Sequence, residues 1–134
     1  MKKTLLFMSL VMLILSGCTS HALYELKGES NHWKTEFIVT KRMETDNGSS
    51  ITKYVMETKI SSKDPKMVVY DASYEIDMAG LHQSSGKMSD PNGKKGASFF
   101  PMSEMYDELQ SGDEITVKIK WNKNNEEEIV MKVN

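Results

Sequence analysis

Ile115-Thr116-Val117-Lys118-Ile119-Lys120-Trp121, followed across Asn122-Lys123-Asn124-Asn125 by Ile129-Val130-Met131-Lys132-Val133, is the stretch on which the fold turns. Ile115, Val117, Ile119 and Trp121 fall on one side of an extended chain and Thr116, Lys118 and Lys120 on the other. That is the period-two pattern of a strand with one buried face and one wet face. Ile129, Met131 and Val133 repeat it, so the two runs read as a hairpin.

The same alternation recurs upstream. Val68, Tyr70, Ala72, Tyr74 and Ile76 oppose Val69, Asp71, Ser73, Glu75 and Asp77 in the longest clean strand. Trp33, Thr35, Phe37 and Val39 oppose Lys34, Glu36, Ile38 and Thr40, and Asp46-Asn47-Gly48-Ser49 turns that strand into a return strand over 51–60, which Asp64-Pro65 stops. Residues 81–88 read as a short strand with Ser84-Ser85-Gly86 inside it. Asp90-Pro91-Asn92-Gly93 reads as a turn on two signals, and 97–100 as an apolar strand ended by Pro101. Only over 103–109 does the spacing predict a helix: Met102, Met105, Tyr106 and Leu109 share a helical face, Ser103 caps it and Ser111-Gly112-Asp113 ends it. With 22–26 as a leading strand, seven or eight short strands at intervals of roughly ten to fifteen residues predict an all-β fold, a small antiparallel sandwich of immunoglobulin-like type, with a barrel as the alternative. The scarcity of Leu and Ala after residue 17, against many Val, Ile, Tyr, Phe and Trp, points the same way.

The first seventeen residues are a different material. Lys2 and Lys3 precede an almost unbroken apolar run over 4–15, and Leu15-Ser16-Gly17 brings small residues up to Cys18, the three-part layout of a secretory signal. As a helix that run rises about 18 Å against a hydrocarbon core of about 30 Å, too short for a comfortable permanent span. Leu15-Ser16-Gly17-Cys18 resembles the bacterial lipobox. The resemblance implies cleavage between Gly17 and Cys18, with S-diacylglyceryl and N-acyl groups on Cys18. More than one acyl chain is what stable anchoring to a bilayer requires. The expected organisation is a signal peptide over 1–17, a lipidated N-terminus and polar tether over 18–32, and a sandwich over 33–134 on the extracytoplasmic face of the cell membrane. The whole plan, with its Gly28-Glu29-Ser30-Asn31-His32-Trp33 opening, resembles small Gram-positive, Bacillus-like lipoproteins with one β-domain.

Several function classes are poorly supplied. The single cysteine leaves no intrachain disulfide framework, Cys-based zinc site or CxxC redox motif. His21, His32 and His82 have no ligand-pair spacing, so no metal or other cofactor is expected. There is no Gly-x-Ser-x-Gly elbow. Glu126-Glu127-Glu128 lacks the spaced oxygen ligands of a calcium loop and reads as a solvated hairpin edge. Without Lys2 and Lys3 the formal charge of −2 becomes −4, which disfavours nucleic acid. Lys87, Lys94 and Lys95 flank the 90–93 turn and are read as solvated rather than as a site for anionic lipid or wall polymer. Asn47-Gly48-Ser49 matches a glycosylation sequon but reads as a turn. The eight methionines after the signal are expected as core filler, and an exposed apolar patch over 99–109 is the feature that would change that reading. The expectation is a non-enzymatic binding or accessory module for an envelope protein, peptide or polymer. A small solute-capture or enzymatic lipoprotein is the alternative.

Overall fold

The computed structural model describes residues 22–134, so Gly17, Cys18 and His21 lie outside the described residues. Among these residues there are nine strands and no helix: β1 (Ala22–Glu29), β2 (Trp33–Asp46), β3 (Ser49–Ser62), β4 (Val68–Met78), β5 (His82–Lys95), β6 (Ser98–Phe99), β7 (Met102–Met105), β8 (Glu114–Trp121) and β9 (Asn125–Lys132). All pairings are antiparallel. Sheet A runs β1-β2-β3-β6, with β7 also on β3, and sheet B runs β5-β4-β8-β9. The two face each other as an open sandwich, not a closed barrel.

Alternation along each strand builds the core. Trp33, Phe37 and Val39 of β2 and Met56 and Ile60 of β3 are buried with Val69, Ala72, Ile76 and Met78 of β4 and Ile115, Val117 and Ile119 of β8. Aromatic edges lock the layers together: Trp33 meets Trp121 with ring centroids 5.6 Å apart, and Tyr74 meets Phe99 at 5.2 Å. Such pairs add about 0.5–1.5 kcal/mol beyond burial. Along one side β1 approaches β9 so closely that a Cβ on Gly28 would lie 2.5 Å from Ile129 Cγ2. The absence of a side chain at Gly28 is what permits that approach.

Three local readings are corrected. First, β1 continues to Glu29, with Lys27, Gly28 and Glu29 paired to Glu36, Thr35 and Lys34, so most of the stretch assigned to a tether before residue 33 belongs to the sheet. An edge strand needs apolar groups on one face only, and Tyr24 and Leu26 supply them between exposed Glu25 and Lys27.

Second, 90–93 is not a turn between strands. Asp71 pairs with Ser89 and Val69 with Lys94, which leaves Asp90-Pro91-Asn92-Gly93 as a bulge within β5 opposite Tyr70. Pro91 is tolerated because β5 is a sheet edge, and Gly93 holds φ +75°. A bulge shifts which side chains face inward. Val69 is therefore buried and Tyr70 exposed, the reverse of simple alternation. The Asn122 side chain stands in for a strand partner there: its Oδ1 accepts from the Tyr70 N–H at 2.9 Å and its Nδ2 donates to the Val68 carbonyl at 2.9 Å. Gly86 does not interrupt β5 either, because the Tyr74 ring lies over it.

Third, the helix expected over 103–109 is absent. Met102 and Met105 pair with Glu57 and Tyr54, while Phe99 pairs with Ile60. β6 and β7 thus share one continuous register along β3. They are parted only at Phe100-Pro101, where the Pro101 carbonyl accepts from the Thr58 N–H at 2.9 Å but proline has no N–H to return. Met105 and Leu109 are buried while Met102 and Tyr106 point outward, so the four share no face.

Candidate binding face

That interrupted edge strand carries the most exposed apolar surface of sheet A. Parity along β3 places Lys53, Val55, Glu57 and Lys59 outward, and β2 contributes Glu36, Ile38 and Thr40 beside them. Phe100, Met102 and Tyr106 project from the edge at 71%, 67% and 68% exposure. Glu36, Ile38, Glu57, Thr58, Lys59, Phe100, Pro101 and Met102 line a groove of about 210 Å³. Its floor is apolar and its rim carries both signs of charge. Val55 points to the same outer face yet is only 2% exposed, flanked by Thr40 and Glu104 across its two neighbouring strands. Large exposed side chains around an apolar floor are the arrangement from which protein interfaces draw their anchors.

The loop that follows is pinned rather than loose. The Tyr54 hydroxyl donates to Glu108 at 2.9 Å, and the Tyr24 hydroxyl lies 3.1 Å from the same carboxylate and 3.0 Å from the Leu109 carbonyl. Burial and the Glu108 carboxylate raise the Tyr24 hydroxyl above its ordinary pKa of 10.0, and the Glu108 hydrogen bond does the same for Tyr54. Lys53 is held by Glu44 at 2.8 Å, with Glu104 at 3.7 Å, so charges bordering the patch are offset locally.

A second concavity, about 630 Å³, lies over the outer face of sheet B between Glu75, Asp77, Gln83, Ser85, Thr116, Lys118 and Glu128. It is larger, but its lining is mostly polar and charged: Val130, 52% exposed opposite Thr116, is the aliphatic side chain beside it, no exposed aromatic lines it, and Lys118 lies opposite Glu128. The smaller groove on sheet A is the better binding candidate for that reason.

The other candidates disperse. Lys87 is separated from Lys94 and Lys95 by the β5 bulge. His82 opens β5, whereas His32 lies at the opposite end of the sandwich beside Trp121, ring centroids 5.6 Å apart. Among the described residues no three His, Cys, Asp or Glu side chains gather as metal ligands. The Glu126-Glu127-Glu128 run splits by parity. Glu126 stays at the surface, 3.3 Å from Lys120, but Glu127 is largely buried. It accepts from the Ser30 hydroxyl at 2.5 Å and the His32 backbone N–H at 3.0 Å, while His32 Nδ1 lies 2.5 Å from its other oxygen. Burial pushes this carboxyl up, and the hydrogen bonds from the His32 ring, Ser30 and the His32 backbone together bring it below its usual 4.5. Serine, carboxylate and histidine meet here with the carboxylate in the middle, so the ring does not reach the hydroxyl. The cluster is a latch between the β1–β2 connection and the start of β9, not a nucleophile with its base.

The apolar run over 99–109 marks this edge in the sequence, but nothing there marks Ile38, which joins the groove only through β2–β3–β7 pairing. No family model, curated protein or solved structure matches the chain.

Proposed function

We propose that the chain is a lipid-anchored, extracytoplasmic lipoprotein, cleaved between Gly17 and Cys18 and acylated on Cys18, of the small Gram-positive kind its lipobox resembles. Its sandwich is a non-enzymatic binding or accessory module at the cell envelope, and its contact face is the groove beside Phe100 and Met102. The observation that carries this reading is the pairing of those two exposed side chains with the apolar floor at Ile38 and Pro101. The groove's size suits one or two apolar side chains of an envelope protein or peptide, with Glu36, Glu57 and Lys59 setting polar contacts at the rim. Anchoring supports such a module physically. Confining it to the membrane plane raises its effective concentration toward membrane partners without any new contact.

The test places a photo-crosslinking amino acid at Met102 and, separately, at Glu75 on the opposite sheet, in the full chain in the cells that make it. The reading predicts a discrete adduct from position 102 that Phe100→Asp abolishes, and none from position 75. Adducts from 75 and not 102 would move the contact face to sheet B and overturn the assignment.

A further inference from the structure

The β2–β3 hairpin outruns the rest of its sheet. β1 pairs with β2 only as far as Thr40, and β7 with β3 only as far as Tyr54. Beyond them a two-stranded ribbon continues from Arg42 opposite Lys53 to Asp46 opposite Ser49. Asn47 and Gly48, at φ 49° and 82°, close it in the left-handed pair that tight hairpins use. Every residue from 41 to 50 is exposed, Met43 at 72%. A two-stranded ribbon with no third strand and no surface to pack on is marginal in water.

The position of the chain's entry says what surface is near. Ala22 pairs with Thr40, so the polypeptide joins the sandwich at the root of this ribbon. Resting on the lipoprotein reading above, only Thr19, Ser20 and His21 separate the acylated Cys18 from Ala22. Four residue steps reach at most about 14 Å. The ribbon from Thr40 to Asp46 rises about 20 Å, and β1 from Ala22 to the far end at Glu29 about 23 Å. Each is longer than the leash. A body hung from Cys18 therefore cannot stand clear of the bilayer with either end toward it; the ribbon side comes against the headgroups, where the chain enters.

We infer that the β2–β3 ribbon is a membrane-contacting element, seated in the headgroup layer of the bilayer that holds the Cys18 lipid. Its chemistry fits that layer. Lys41 and Arg42 form no ion pair among the described residues and face anionic headgroups. Glu44 is paired with Lys53, so with Asp46 at the tip the ribbon over 41–53 keeps a net charge of +1. Met43 supplies an apolar contact, the Ser, Thr and Asn residues of the tip hydrogen-bond at the wet boundary, and exposed Tyr106 follows the Met105–Tyr54 pair at the ribbon's root, where an amphipathic ring suits an interface.

The full chain carrying Met43→Cys, labelled with an environment-sensitive fluorophore, tests this in phosphatidylglycerol–phosphatidylethanolamine vesicles doped with a headgroup-proximal nitroxide lipid. Asn124→Cys, in the β8–β9 connection at the other end, is the paired site, and mass analysis of Cys18 is run on each sample. The inference predicts a blue shift and loss of most of the emission at position 43, with position 124 unchanged. No quenching at 43 in a chain whose Cys18 lipid is present overturns the membrane contact and leaves the lipoprotein reading standing. Equal quenching at both sites overturns the assignment to this ribbon, and a Cys18 without lipid overturns both readings.

Discussion

Where β8 turns into β9, the hairpin is short and its base is sealed: Trp121 packs against Trp33, His32 lies over the same ring, and Glu127 ties the neighbouring connection down through Ser30 and His32. At the other end the β2–β3 hairpin runs on as a bare ribbon whose strands have only each other. Both are antiparallel hairpins with polar turns, so turn chemistry does not set them apart. The difference is what stands behind the strands. One hairpin is finished by its own protein; the other presents complete backbone pairing and an unfinished face, as expected of a segment completed by something outside the chain.

Substitutions at the two ends break or sharpen that contrast. Trp33→Ala removes a fully buried ring between Phe99 and Trp121 and should cost about 3–5 kcal/mol in denaturant unfolding. A loss below 1 kcal/mol would mean that the sealed end is not sealed. Glu127→Ala should cost about 0.5–1.5 kcal/mol by removing the acceptor shared by the part-buried Ser30 hydroxyl and the exposed His32. Because the folded state lowers the Glu127 carboxyl below 4.5, the latch's contribution is present above that pH and disappears as pH falls through the lowered value. Unfolding curves of the parent should therefore converge toward those of Glu127→Ala under acid, and a constant gap across the range would exclude the ionised latch. Thr35 is buried with its hydroxyl unpartnered, so Thr35→Val should be neutral or stabilise by up to about 1 kcal/mol; destabilisation beyond that would reveal a partner for the hydroxyl. Met43→Ala, at the open end, should move stability by no more than about 0.5 kcal/mol in water. Amide exchange should likewise be faster over 43–50 than over 115–121, and equal protection would show that the ribbon is already packed.

The sandwich was legible because alternation survives in the strands that bury one face, as in 33–39 and 115–121, where each inward position is indeed buried. It failed where two structures write the same letters. Met102, Met105, Tyr106 and Leu109 have helical spacing, yet a free edge on β3 at 54–57 offers backbone partners that a seven-residue helix cannot match. Proline with Asn-Gly marks a turn or an edge bulge equally well, and only the partner strand decides between them at 90–93. Glu127 looks like its two neighbours in sequence and differs only in what lies across the fold. The proposed binding face was half legible: Phe100 and Met102 lie in the apolar segment 99–109, while Ile38 reaches it through the pairing of strands distant in the chain.

The proposed membrane attachment, and with it the orientation of the sandwich, depends on the sulfur of Cys18. The direct measurement is metabolic labelling with a radioactive or alkynyl palmitate analogue, comparing the full chain with Cys18→Ala. Acylation of Cys18 predicts label and membrane retention for the parent, and for Cys18→Ala no label, with the body no longer held by lipid. Equal retention of the two chains with no difference in label would contradict it.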